Sequence, residues 1–92
     1  MDLARREVTV RGVRVHLTPI EFRLTSVLVK NAGKVLTHGQ LLREVWGPGS
    51  DRETHYLRVY MNQLRQKLEA EPSRPRHLLT EAGVGYRLAA DS

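Results

Sequence analysis

The stretch that most constrains this chain is residues 50–69, SDRETHYLRVYMNQLRQKLE. Its apolar side chains recur at steps of three and four residues, which predicts one amphipathic helix of about five turns. They are Leu57, Tyr60, Met61, Leu64 and Leu68. The opposite face collects polar and basic side chains around one aliphatic residue: His55, Arg58, Val59, Asn62, Gln63, Arg65 and Gln66. Solvation is the ordinary explanation of a polar helix face. The alternative is that this face binds a partner, and the rest of the sequence favours it.

Size and charge bound the class of protein. The length of 92 residues predicts one small domain spanning residues 1–92. The formal net charge of +5 indicates an anionic partner. Nucleic acid is the first candidate and an anionic membrane surface the second. No apolar run approaches the roughly 20 residues that span a bilayer, and the charged start MDLARREV does not resemble a signal peptide. Cysteine is absent, which is compatible with the cytoplasmic location that we expect.

The N-terminal part predicts a small antiparallel sheet at about residues 3–17. Apolar and polar residues alternate over residues 7–17, EVTVRGVRVHL, with a break at Arg11-Gly12 that is typical of a hairpin. Two strands are marginal alone, so they must pack on something or have a further partner. Leu3 could begin that partner, but little sequence precedes it. We therefore expect the sheet to lack most of one strand.

Two dense helix-start signals follow the predicted hairpin. Thr18 can cap a helix that begins at Pro19, with Glu21 completing a capping box, and this helix should end near Lys30. Residues 37–40, THGQ, repeat the signal and predict a second, shorter helix. The loop Gly47-Pro48-Gly49-Ser50 cannot continue a helix. We expect Ser50 or Asp51 to cap the long helix, with Glu53 in a box with Ser50.

The C-terminal part predicts a second hairpin. Pro72 and Pro75 indicate a loop after the long helix, and two strand-like segments at 77–80 and 86–89 flank a joint that contains Gly83 and Gly85. Two glycines in the joint predict a turn with positive-φ positions. The chain is thus predicted to be α+β, a winged helix-turn-helix of three helices. The helix-turn-helix core covers residues 18–70 and the wing residues 77–89. In such a fold the second helix of the motif enters the major groove.

Four segments carry a resemblance to a known family: LTPIEFRL, KVLTHGQLLREVWG, YLRVYMNQLRQKLE and TEAGVGYRL. In order and spacing they closely resemble the C-terminal effector domain of OmpR/PhoB-type response regulators, over about residues 3–89. The resemblance implies a winged helix with an N-terminal antiparallel sheet, and an upstream phosphorylatable receiver domain that these 92 residues do not contain. Within that family, HLTPIEFRL, HYLRVYMNQLRQKLE and PSRPRHLLTEAGVGYRL are most similar to the potassium-responsive subgroup, which implies control of potassium-transport genes.

The long helix supplies the residues that we expect to read bases. Arg58 and Arg65 lie two turns apart on one side, and each could offer a bidentate fork to guanine. Asn62, Gln63 and Gln66 could hydrogen-bond to base edges, and Val59 could contact a thymine methyl group. Phosphate binding, or solubility alone, is the alternative role for each polar residue.

Other residues are expected to contact the DNA backbone. Arg52 and the amides at the helix start suit phosphate through charge and the helix dipole, and His55 and Tyr56 lie close by in sequence. The resemblance implies phosphate contacts for the indole N–H of Trp46, whose ring we expect in the core, and for Thr80 and Tyr86 in the wing. Ala82 stands where relatives often carry a minor-groove arginine, so this wing should read the groove weakly.

The resemblance also implies protein partners. The loop Gly47, Pro48, Gly49 and Ser50 corresponds to the surface with which relatives touch RNA polymerase, although a plain connector is at least as good an interpretation of the sequence alone. A sensor kinase would act only through the missing receiver domain. The domain alone should be monomeric and should pair on direct-repeat promoter sites.

Two other classes of function are alternatives to DNA binding. An enzyme is disfavoured because His16, His38, His55 and His77 are scattered without metal-ligand spacing or a placeable nucleophile, and we expect no metal or cofactor. A winged helix that binds another protein is the better rival. It predicts an apolar outer face on the long helix, whereas this face is polar and basic.

Overall fold

The computed structural model describes residues 7–50 and 52–90 of the chain. The described elements alternate in the predicted order of strands, helix, short strand, two helices and hairpin, which confirms the α+β winged helix-turn-helix. Their bounds are β1 Glu7–Val10, β2 Val13–His16, α1 Pro19–Lys30, β3 Leu36–Thr37, α2 His38–Trp46, α3 Thr54–Leu68, β4 Leu78–Glu81 and β5 Gly85–Leu88.

The N-terminal hairpin forms a two-stranded antiparallel sheet, with Val8 opposite Val15. Its turn residues Arg11 and Gly12 have φ angles of 49° and 80°. Positive φ at both central residues matches the right-handed twist of the flanking strands, which explains why glycine stands in the second position. The further strand expected near Leu3 lies outside the described residues.

The wing belongs to a separate three-stranded sheet with the order β3-β5-β4. Gly83 turns the hairpin at φ 74°. The prediction of positive φ at both glycines is wrong for Gly85, which is extended within β5. A Cβ atom at Gly85 would lie 1.8 Å from the carbonyl oxygen of Leu36, so glycine is needed there for the close approach of β3.

Both short helices begin as predicted. The Thr18 hydroxyl accepts from the Glu21 amide at 3.3 Å, while Glu21 Oε1 accepts from the Thr18 amide at 2.9 Å. Thr37 and Gln40 make the same reciprocal pair at the start of α2. Each box satisfies two amides that would otherwise lack partners, so these starts are fixed by local sequence.

The long helix begins later than the sequence predicts. Its first residue is Thr54 and its N-cap is Glu53, which makes no side-chain cap bond; the prediction of a Ser50–Glu53 capping box is therefore wrong. The Ser50 carbonyl instead accepts from the Glu53 amide at 3.0 Å, which closes a turn ahead of the helix. Asp51 lies outside the described residues. Ser50, Arg52 and Glu53 therefore belong to the connection between α2 and α3, ahead of the first turn of α3.

The core lies between the three helices and the wing sheet. In α3 the predicted stripe is seated on it: Leu57, Met61 and Leu64 are fully buried, and Tyr60 and Leu68 pack at its margin. Burying each aliphatic side chain contributes about 1.5–3 kcal/mol. The Lys67 ammonium adds a 2.5 Å ion pair with Glu21 in α1, so apolar and ionic contacts both fix the orientation of α3.

Candidate nucleic-acid interface

The outer face of α3 is open to solvent over its whole length. Six of the seven side chains predicted for this face are exposed: His55, Arg58, Val59, Asn62, Gln63 and Gln66. Arg65, the seventh, is half-buried, and Tyr56 is exposed beside them. The helix contains no acidic residue. Because the apolar stripe occupies the opposite face, this surface presents hydrogen-bond donors and one aliphatic side chain on a rigid rod. A helix of this width fits the major groove of B-DNA.

The two arginines of α3 are not equivalent. Arg58 is exposed and makes no hydrogen bond or ion pair to residues 7–50 or 52–90. Arg65 is half-buried: its Nε and Nη2 donate to the Leu78 carbonyl at 3.1 and 2.9 Å, and Nη2 also donates to the Thr80 hydroxyl at 2.7 Å. Base contact by Arg65 stays a prediction, but several of its N–H donors are engaged by β4.

In the wing, the two predicted backbone contacts have different settings. Thr80 is exposed beside Arg65. Tyr86 is only 6% exposed, and its ring packs edge-on against His38, with the ring centres 5.6 Å apart. The Arg65 guanidinium lies 5.6 Å from the centre of the same ring. The Tyr86 ring is therefore part of the core.

Trp46, at the end of α2, is half-buried. Its ring packs against Tyr60 of α3, with centroids 5.4 Å apart, so the indole joins the first helix of the motif to the second. The position agrees with a ring that packs on the core. The predicted phosphate contact of its N–H stays a prediction.

The start of α3 carries one basic side chain and one acidic one. Arg52 is exposed just before the helix and the first turn has no acidic residue, but the N-cap residue is the exposed Glu53, whose side chain makes no cap bond. Uncapped amides and the positive end of the helix dipole favour negative charge at this end. The preceding loop turns through Gly47 and Gly49, at φ 100° and 91°, and exposes Pro48.

Glu69 has a structural role that the sequence did not predict. The residue is only 4% exposed. Its carboxylate accepts hydrogen bonds from the backbone amides of Arg76, His77 and Leu78 at 3.1, 3.0 and 2.8 Å. Burial raises the pKa of Glu69, but these three bonds outweigh it and hold the pKa below its usual range. The pattern offered no signal because the partners lie seven to nine residues away in an irregular segment.

Lys67 and Glu21 form a second unpredicted contact. Burial raises the pKa of Glu21, whereas hydrogen bonds from Lys67 and Thr18 lower it further than burial raises it. The Lys67 ammonium also donates to the His16 carbonyl at 3.3 Å. This side chain therefore ties the end of α3 to the junction of β2 and α1.

Other kinds of site find no support in the described ranges. Residues 7–50 and 52–90 contain no group of three or more histidine or acidic side chains that could hold a metal ion. None of the three described helices combines the length and the hydropathy that a bilayer crossing requires.

Known proteins share this arrangement. The family described as "Transcriptional regulatory protein, C terminal" matches residues 12–88. The chain is 61% identical over 87 residues to the KDP operon transcriptional regulatory protein KdpE of Escherichia coli K12, covering 95% of this chain and 39% of that protein. It is 56% identical over 90 residues to the transcriptional regulatory protein KdpE of Mycobacterium tuberculosis H37Rv, covering 98% of this chain and 40% of that protein. The chain thus spans about two fifths of the length of these relatives.

A solved structure gives the same fold in a DNA complex. The DNA-binding domain of Klebsiella pneumoniae RstA, crystallised with the RstA box, is 28% identical and superposes with a TM-score of 0.80, over 96% of this chain and 87% of that one. Sequence, fold and the family match over residues 12–88 agree, and the chain belongs to the OmpR/PhoB-type family of transcriptional regulatory protein C-terminal domains.

Proposed function

We propose that this chain binds double-stranded DNA in a sequence-specific manner, by placing the outer face of α3 in the major groove. The observation that carries the proposal is the solvent-exposed, acid-free face of a helix whose opposite side packs on the core. The DNA complex of the RstA domain supports it, because the two folds superpose over nearly the whole chain. A protein-binding winged helix is less favoured, since an apolar outer face is missing.

Within this function we assign base reading first to Arg58, whose guanidinium is exposed. Asn62, Gln63 and Gln66 supply further donors and acceptors, and Val59, 38% exposed, suits a thymine methyl group. Arg65 remains a candidate for base contact with the N–H donors that β4 does not engage.

Backbone contacts would position the helix. Arg52, His55 and Tyr56 lie at the uncapped start of α3, where phosphate is electrostatically favoured. The remaining candidates border the same surface, with Trp46 on one side and Thr80 and the rim of Tyr86 on the other. Such contacts carry affinity without sequence information.

We further propose that the chain acts as the effector part of a two-component response regulator that controls potassium-transport genes. The KdpE relatives support this role, and the chain spans about two fifths of their length. In the whole protein a receiver domain would respond to a sensor kinase in the cytoplasm. The domain would be monomeric alone, would pair on direct-repeat sites, and would offer the loop Gly47–Ser50 to RNA polymerase. We assign it no catalytic activity.

A salt titration tests the DNA proposal directly. The dissociation constant should be measured for a duplex selected from a random pool and for a scrambled duplex of equal length. Neutralising several phosphates makes the logarithm of affinity fall linearly with the logarithm of salt, with a slope of about −0.9 per phosphate contacted on B-DNA. We expect steep slopes for both duplexes and tighter binding of the selected one. Equal affinity for the two, or a flat response to salt, would contradict the proposal.

A further inference from the structure

The strand that begins the wing is held by one side chain of α3 and by the side chain of its C-cap residue. Arg65 and Glu69 are four residues apart, so they project from the same side of the helix end. Arg65 binds the Leu78 carbonyl through two donors, while Glu69 Oε2 accepts the Leu78 amide at 2.8 Å. Both backbone polar groups of Leu78 are therefore bound, the carbonyl by Arg65 of α3 and the amide by the C-cap residue Glu69.

The sheet geometry explains why Leu78 needs these partners. β4 is an edge strand, with β5 on one side only. The His77 carbonyl accepts the Ala89 amide, so the backbone groups of Leu78, the next residue, point to the free edge. An edge carbonyl and amide buried without partners would each cost about 1–3 kcal/mol. Arg65 and Glu69 supply the partners and close the edge against α3.

The contacts extend along the strand in both directions. Glu69 also accepts the amides of Arg76 and His77 before β4, and Arg65 also donates to the Thr80 hydroxyl and lies over the Tyr86 ring. The bonds are charge-assisted and partly shielded, which makes them stronger than neutral surface bonds. We refer to Arg65 and Glu69 together as the wing clamp.

We infer that the wing clamp consists of positioning residues for DNA binding, which fix the angle between α3 and the wing. The inference rests on the proposed function, because it assumes that α3 and the wing meet the same duplex. With the clamp intact, both elements are presented as one rigid body and little ordering is left to occur on binding. Without it, the wing must be ordered at the moment of association, and affinity falls for every sequence alike.

This role differs measurably from base reading. When a base-reading side chain is removed, the loss of affinity disappears on a duplex in which its own base pair has already been changed. A positioning residue keeps the same loss at every base pair, because it acts through the orientation of the wing. Glu69 provides an independent check, since a buried carboxylate 4% exposed cannot contact a base.

The experiment compares variants of the 92-residue chain on a panel of duplexes. The panel contains the selected duplex and every single base-pair change in it. The clamp variants are Arg65→Ala, Arg65→Lys and Glu69→Gln; Lys retains the charge but cannot reproduce the bidentate fork. The controls are Arg58→Ala, a proposed base reader, and Glu71→Gln, an exposed carboxylate two residues from Glu69. Circular dichroism establishes that each variant is folded at the assay temperature.

We expect each clamp variant to weaken binding of the selected duplex by about tenfold, from the loss of one or two ordered groups. The loss should stay constant across the panel, Glu71→Gln should bind like the unaltered chain, and the loss caused by Arg58→Ala should vanish at one base pair. Hydrogen exchange at the Leu78 amide of the free domain should accelerate in all three clamp variants.

Two results would overturn the inference. One is a loss in Arg65→Ala that vanishes at a single base pair, which would make Arg65 a base reader. The other is unchanged affinity in folded clamp variants whose Leu78 amide exchanges faster, which would leave the clamp with a stabilising role alone. Failure of the unaltered chain to prefer any duplex would instead refute the proposed function itself, and the inference with it.

Discussion

Replacing Lys67 by methionine should destabilise the domain, because it leaves the Glu21 carboxylate without its cationic partner. Glu21 is 2% exposed, and in the unaltered chain it accepts from the Lys67 ammonium and from the Thr18 amide. Methionine preserves the aliphatic stem of Lys67, so the change removes mainly the charge-assisted hydrogen bond. Such bonds contribute about 1.5–3 kcal/mol. The Lys67 side chain is 34% exposed, and solvent screening places the expected loss at about 2 kcal/mol.

For a domain of this size, about 2 kcal/mol corresponds to a fall in Tm of roughly 8–16 °C. Thermal unfolding followed by circular dichroism at pH 7 measures it. The matched control is Lys34→Met, at an exposed lysine outside the helices, which should leave Tm within about 3 °C.

The pH dependence of the difference in Tm between the unaltered chain and Lys67→Met provides a stricter test. The pKa of Glu21 is lower in the folded chain than its ordinary value of 4.5, so its contribution to stability is present above that value. It is lost as the pH falls through the folded pKa, when the carboxyl protonates and no longer needs a cation. The gap in Tm between the unaltered chain and Lys67→Met should therefore narrow below pH 4.5. An equal Tm at pH 7, or a gap that persists unchanged at pH 3, would refute the reasoning.

Two further predictions concern the wing and its support. Gly85→Ala should lower the free energy of unfolding, measured by urea titration, by at least about 3 kcal/mol, because the added Cβ would lie 1.8 Å from the Leu36 carbonyl oxygen and disrupt the pairing of β3 with β5. The control is Gly39→Ala in α2, where the nearest atom is 3.5 Å away; it should be neutral or stabilising in the same titration. Glu69→Gln should lower the free energy of unfolding at pH 7 but much less at pH 3. The pKa of Glu69 is lowered in the folded chain, so the stability that its carboxylate contributes is lost in acid. The same deficit at both pH values would contradict the account.

The parts of the fold that were predicted correctly depend on local sequence. The capping boxes of Thr18 with Glu21 and Thr37 with Gln40 act over three residues, and both helix starts were located from them. The apolar stripe of α3 has a period set by the helix itself, so its buried residues could be named in advance. Local signals failed at the start of α3, where Ser50 closes a turn with Glu53 and the helix begins at Thr54.

The contacts that support the candidate site were invisible in the pattern, since they join residues far apart in sequence. Lys67 meets Glu21 across 46 positions and Arg65 meets Leu78 across 13. On a helical projection Arg65 and Arg58 share one side, and only the packing of β4 against α3 makes them different. The exposed face was therefore predictable, whereas the division between free and engaged donors on it was not.

The claim on which the account depends is that the outer face of α3 reads base pairs. Selection from a random duplex pool, performed in parallel with the unaltered chain and Arg58→Ala, tests it most directly. We predict that the unaltered chain enriches one motif. The variant should enrich the same motif but lose its preference at one position, where Arg58 contributes about 1–3 kcal/mol of discrimination against the wrong base. Recovery of an identical motif by both proteins, or of none by the unaltered chain, would contradict the account.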